Sequence, residues 1–119
     1  MKYMLLIYGE ENFSSLGSEE FAELVRRTDA LNRELFESGE LVGAYGVADV
    51  AASKVVRVTD GPPAVTDGPY AEAKEHLASF TIVDCASLDR ALEIAASNPA
   101  ARYVGVEVKP LLMEAHFDL

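Results

Sequence analysis

The most restrictive feature of this chain is the order in which strand-like and helix-like patterns alternate along it. A short apolar run over residues 3–8, closed by Gly9, predicts a buried strand. A polar connection over 10–17 leads to Ser18, a predicted N-cap, with Glu19 and Glu20 suitably placed against a helix dipole. Phe21, Leu24, Val25, Thr28, Leu31 and Leu35 then recur at helical spacing until Gly39 supplies the stop, which predicts a helix with one apolar stripe. Residues 41–47, LVGAYGV, read as a strand whose glycines mark a bulge or a close approach of another backbone or ligand. The pattern then recurs, with a strand over 78–85 and a helix capped by Ser87, its stripe being Leu88, Ala91, Leu92 and Ala95. Asn98-Pro99 ends that helix, and a last strand over 103–109 carries Val104, Val106 and Val108 on one face.

Two strand–helix–strand units in series cannot be joined by hairpins alone. They predict one α+β domain over residues 1–119, a ferredoxin-like split β-α-β sheet with both helices on one face. A chain of this length buries roughly two thirds of its unfolded surface, enough for a core without staples. The other sheet face needs cover, and its aromatic and small residues either line a pocket or pack against a second copy of the sheet.

Between the two units lies VTDGPPAVTDGPY, residues 58–70, in which Val-Thr-Asp-Gly-Pro is spelled twice. The first copy follows a β-branched strand over 54–59, and residues 64–66 can return as its partner. Asp60-Gly61 between two such segments is a hairpin signal, with Pro62 and Pro63 confining the return to a sheet edge or delaying its start. The first copy therefore reads as a structural turn and the second as the opening of a site.

Charge narrows the partners. The chain carries 20 acidic and 10 basic residues, a net charge of −10, and its one adjacent basic pair, Arg26-Arg27, sits on a glutamate-rich helix. Phosphate backbones and anionic membranes call for clustered Lys and Arg, so neither nucleic acid nor a membrane surface is an expected partner. The lone cysteine, Cys85, forms no internal disulfide and reads as a small buried hydrophobe, and no apolar run reaches the roughly 20 residues of a membrane helix. A cytoplasmic location is the expectation.

After the second Thr-Asp-Gly-Pro come Tyr70-Ala71-Glu72-Ala73-Lys74-Glu75-His76. The stretch resembles the signature of the YCII-related family in its DGPF branch, roughly D-G-P-F-A-E-T-K-E. Asp67, Gly68, Pro69, Ala71, Glu72, Lys74 and Glu75 match, while Tyr70 replaces Phe and Ala73 replaces Thr. The start, KYMLLIY, and NPAARYVGVEVKPLL near the end are similar too, so the likeness covers nearly the whole chain. It implies a ferredoxin-like fold paired sheet to sheet into a dimeric α+β barrel, with pockets between sheet and helices. It also implies relatives that include a dehydrochlorinase and genes beside extracytoplasmic-function sigma factors. A His near the first helix, proposed as an active-site residue in one branch, has no counterpart here, since no histidine precedes His76.

The candidate residues each admit a plain and a chemical reading. Asp67 in a Thr-Asp-Gly-Pro turn commonly bonds its own downstream amides; desolvated at a pocket mouth, it can serve as a general base. Glu72, Lys74, Glu75 and His76 form either a solvated charged surface or an acid–base group. On a helical turn Glu72 and His76 share a face, His being the side chain best suited to proton transfer near neutral pH. Lys74 would then hold an anionic substrate group, Tyr70 would lie near the pocket wall, and Tyr45 in its glycine-spaced strand would line the pocket. Without a second-His motif such as H-E-x-x-H a metal site is not expected, no cofactor pattern is present, and His116 in the tail reads as incidental.

The expectation is a homodimer that binds a small organic molecule and performs proton-transfer chemistry such as isomerisation or elimination, with Asp67, His76 and Glu72 as its catalytic groups. The competing expectation is a non-catalytic regulatory or interaction module, in which the same motif stabilises the assembly.

Overall fold

The structure is a computed structural model in which residues 1–9, 16–70 and 75–115 are described. Among the described residues six strands and two long helices follow in the order β1 (Lys2–Tyr8), α1 (Ser18–Glu37), β2 (Leu41–Gly46), β3 (Lys54–Arg57), β4 (Ala64–Asp67), β5 (Leu77–Asp84), α2 (Leu88–Ser97) and β6 (Val106–Pro110). Single 3₁₀ turns lie at Val50–Ala52 and Pro99–Arg102. Strands β2, β5, β1 and β6 form one antiparallel sheet in that spatial order, while β3 and β4 pair separately as a hairpin. This is a mixed α+β architecture consistent with the ferredoxin-like fold, the hairpin being inserted between its two halves.

Register explains which residues reach the core. Tyr3 lies opposite Val83, and Leu5 lies between Thr81 and Val108. One face of the sheet therefore presents Tyr3, Leu5 and Val83, and these pack with Leu35 of α1 and with Ala91, Ile94 and Ala95 of α2. Val106 and Val108 flank that cluster, as the alternation over the last strand predicts. Cys85 is buried in the same core, its thiol donating to the Ser87 carbonyl. Neither helix covers the opposite face, where register places Met4 beside Ile82 and Leu6 beside Phe80.

Three expectations are corrected in detail. The N-cap of α1 is Gly17 and not Ser18, because the Gly17 carbonyl already accepts from the Phe21 amide and Ser18 is the first helical residue. The buried stripe of α2 runs through Ala91, Ile94 and Ala95, whereas Leu88 and Leu92 are about half exposed. Alanines let the helix lie close to the sheet, and that closeness sets its rotation. The last strand starts at Val106, not at Tyr103, because Asn98 caps the 3₁₀ turn by accepting from the Ala100 amide and carries the chain past Tyr103 before pairing begins.

One polar contact fastens the lower corner of the fold. Arg90 of α2 makes a fork to Glu40 in the connection after α1, with both nitrogen–oxygen distances 2.9 Å. The Glu40 backbone carbonyl also accepts from the Asp84 amide. Hydrogen bonds from Arg90 and then Ser38 hold the Glu40 carboxyl below the usual glutamate range. A carboxyl lowered in the folded state adds stability above its unfolded value and loses that contribution as pH falls through the folded one. Glu40→Gln is therefore expected to melt below the parent at neutral pH, with the gap closing in acid below the ordinary glutamate range. A pH series of melting curves on both proteins checks this, and a gap that persists unchanged into acid would contradict it.

Candidate functional site

The repeat resolves into two different devices. In the first copy Gly61 has φ of 94° with open space around it, so glycine is required there by conformation. It sits in the loop over 58–63 that joins β3 to β4, with Arg57 opposite Ala64 at its base. In the second copy Gly68 has no positive φ, and its amide donates to the Ser53 carbonyl at 2.8 Å. A Cβ at Gly68 would stand 2.6 Å from the Ser53 Cβ and 3.2 Å from its backbone carbonyl. Glycine is required there by space, where the chain closes the hairpin base before a cis Gly68-Pro69 bond.

Around that corner the structure places the sequence-predicted residues as follows. Asp67 ends β4 opposite Lys54 and is engaged by the Lys54 ammonium, with its side chain 82% exposed. Tyr70 is exposed, and the Arg57 guanidinium lies 5.2 Å above its ring. His76 is half-buried before β5, its carbonyl accepting from the Gly9 amide. Glu72, Lys74 and His116 lie outside the described residues, as does most of the proposed helical turn. Among the described residues no hydrogen bond or ion pair joins Asp67 to His76, and no three His, Cys, Asp or Glu side chains gather as metal ligands.

A larger hollow than any at this corner lies elsewhere among the described residues, between α1 and the sheet. Helix α1 is held to the core at its C-terminal end, where Leu35 is 2% exposed and Leu31 half-buried. Its N-terminal half stands off the sheet, leaving Phe21 50% and Val25 43% exposed. The expectation of one buried stripe along the whole helix thus holds at one end only. The gap is a cleft of about 520 Å³ walled by Phe21, Leu24 and Val25 on the helix and by Ile7 and Ala44 on the sheet. Tyr45 borders it along its strand, but its ring, tilted 32° against Phe80 with centroids 5.2 Å apart, lies by register on the opposite face of the sheet. Of the two glycines of β2, Gly43 carries both the bulge and the close approach, since register shifts between Leu41 and Gly43 and the Tyr45 ring lies over Gly43, whereas Gly46 has open space around it.

The polar lining is Thr28, Asp29 and Asn32 of α1, Ser79 and Thr81 of β5, and Asn98. Sequence reasoning passed over most of these. The signal was present in two forms. Asp29 and Asn32 sit beside Thr28 on the turn where the helical stripe loses its apolar character, and Ser79 and Thr81 alternate on the strand face that Val83 buries. Asp67, Tyr70 and His76 do not border this cleft, nor a smaller groove of about 250 Å³ beside Arg27 and Arg102.

An antiparallel four-stranded sheet with two helices on one face and a ligand-sized cleft beneath the first helix defines a small α+β protein of ferredoxin-like type. The chain belongs to the YCII-related family, whose domain model matches residues 1–113. It is also 38% identical over 116 residues to a protein of Rhizobium meliloti (strain 1021) described as uncharacterized, covering 95% of this chain and 94% of the relative. No described helix is long and apolar enough to cross a membrane.

The two glycines of the repeat make separable predictions. Gly61→Ala is expected to destabilise by about 1–2 kcal/mol through its positive φ, with Gly61→Asn milder. Gly68→Ala is expected to cost about 1–3 kcal/mol through overpacking against Ser53, with Gly68→Asn at least as harmful. Denaturant midpoints for the four variants check this; equal tolerance of Asn at both positions would contradict it.

Proposed function

We propose that this chain is a small-molecule-binding protein of the DGPF branch, acting as a cytoplasmic homodimer and taking its ligand in the cleft between α1 and the sheet. The observation that carries the proposal is the cleft itself. Its volume falls within the roughly 300–1,000 Å³ range of small-molecule sites, with apolar walls and a few convergent polar groups. The motif at residues 67–75 supports the branch, and an unpaired, buried Cys85 is compatible with a reducing compartment.

Surface area supports the dimer. The single chain exposes 8644 Å², whereas a compact monomer of 12.9 kDa would expose about 6,300 Å². Its radius of gyration is 16.7 Å against about 13.5 Å for a compact domain of this length. The surplus is of the size an obligate homodimer buries. Met4, Phe80 and Ile82 on the uncovered sheet face are partly exposed, and a second copy laid over them would remove part of that surplus.

The acid–base reading assigns Asp67 as base, His76 and Glu72 as its partners, and Tyr70, Lys74 and Tyr45 to binding. It requires a second copy over the hairpin corner, because a carboxylate exposed as Asp67 is in one chain lacks the desolvation that favours proton abstraction. One observation favours the second reading, a non-catalytic regulatory or interaction module such as one serving a sigma-factor pathway. Asp67 is already engaged by Lys54 at the end of the hairpin, a structural use of the same side chain.

Two experiments test these statements. In a thermal-shift screen of small organic molecules, a true ligand at a hundredfold excess over Kd should stabilise by about 2.7 kcal/mol. Ala44→Phe, which fills the cleft from the sheet side, should abolish the shift; hits that survive it place binding elsewhere. For the acid–base assignment, Asp67→Asn and His76→Gln are expected to keep the sedimentation mass of a dimer while lowering turnover of a substrate from that screen by about a hundredfold. Dissociation of the dimer by either substitution would assign the corner to assembly.

A further inference from the structure

The charge lining the cleft narrows the ligand further, on the assumption that the cleft is the binding site. Among the described residues bordering it, Asp29 is the one charged side chain, and no Lys, Arg or His joins it. Asp29 makes no ion pair or hydrogen bond with a described residue, although Arg26 and Arg33 share its helix; Arg26 is engaged by Glu23. Asn32 lies one turn along on the same side, and Ser79 and Thr81 face it across the gap with hydroxyls that can accept. The Thr28 hydroxyl donates to the Leu24 carbonyl at 2.7 Å, which leaves its lone pairs to the cleft.

An ionised carboxylate only accepts hydrogen bonds, while the hydroxyls and side-chain amides of the lining both donate and accept, so what the set lacks is a positive charge to meet Asp29. An anionic head group entering here would meet Asp29 without a counter-charge, in a chain whose net charge of −10 already opposes it. A protonated amine supplies three donors and the missing positive charge.

We propose that the cleft takes a primary amine carried on an apolar body, with the ammonium on Asp29 and Asn32 and the body against Phe21, Val25 and Ile7.

The test uses three probes that share one apolar body and differ in the head: phenylbutylamine, phenylbutanol and phenylbutyrate. Binding is measured by calorimetry on the full chain near neutral pH and physiological salt. The amine is expected to bind at least about tenfold tighter than the alcohol, with the carboxylate weakest. Asp29→Asn, an exposed helix position that tolerates substitution, should bring the amine down to the level of the alcohol. Asp60→Asn, an equal charge change in the hairpin loop, should leave the preference intact. Equal or better binding of alcohol or carboxylate overturns the amine assignment while leaving the cleft as a site. A preference lost equally in both variants assigns the effect to diffuse charge and also overturns it. Failure of all three probes to bind overturns the assignment and counts against the cleft as well.

Discussion

Leu35 holds α1 to the sheet at one end, and the rest of the molecule's functional geometry follows from that single anchorage. It belongs to the same packed cluster as Tyr3, Leu5 and Val83, and just beyond the helix Glu40 is gripped by Arg90 of α2. Both helices are thereby fastened at one corner. Toward the N-terminus of α1 the fastening stops, and Phe21 and Val25 face a gap in place of a core. Fully burying such a side chain is worth about 1.5–3 kcal/mol. The half-exposed pair therefore leaves stabilisation that an occupant of the cleft can recover. A site that gains from occupancy in this way is built by underpacking, and no special catalytic constellation is needed for it to bind.

The sequence revealed the order of elements and the sheet because these depend on period and punctuation. Alternation over Val106 and Val108 and the stop at Gly39 survive any change in how helices dock. Helix phase is a different matter. The spacing grouped Leu88 and Leu92 with Ala91 and Ala95, whereas the docked helix turns Ile94 inward with the two alanines and leaves both leucines about half exposed. Underpacking leaves only a faint sequence mark, since Phe21 and Val25 share a stripe with Leu31 and Leu35 that is interrupted by one polar turn at Thr28. The cleft was legible only through its polar residues, and Asp29 looked like any solvent-facing charge on an acidic helix. As for the candidate site at the hairpin, the repeat was legible as a turn plus something else, but not which glycine was needed for conformation and which for space.

The hairpin poses the remaining physical problem. A two-stranded sheet on its own is marginal in water. Here Val56 and Val65 lie opposite one another with about 60% of each exposed, and Val58 is as open. Within one chain the hairpin is braced by the Lys54–Asp67 pair, the Arg57–Tyr70 stack and the Gly68–Ser53 hydrogen bond. Exposed ion pairs contribute little, so these contacts set the shape of the hairpin more than its stability.

That weakness bears on where chemistry can occur. The acidic corner and the cleft are separate features of one chain, because no described residue from 67–76 borders the cleft. Any mechanism in which Asp67 acts on a molecule held against α1 must therefore bring the corner of one copy to the cleft of another. The same apposition would shield the valine face of the hairpin and exclude water from the corner, so that assembly and hairpin stability would rise together. If assembly instead leaves the corner in solvent, Asp67 keeps its ion pair with Lys54 and the cleft acts without it. The two possibilities differ in one geometric quantity, the distance between Asp67 of one protomer and the cleft of its partner.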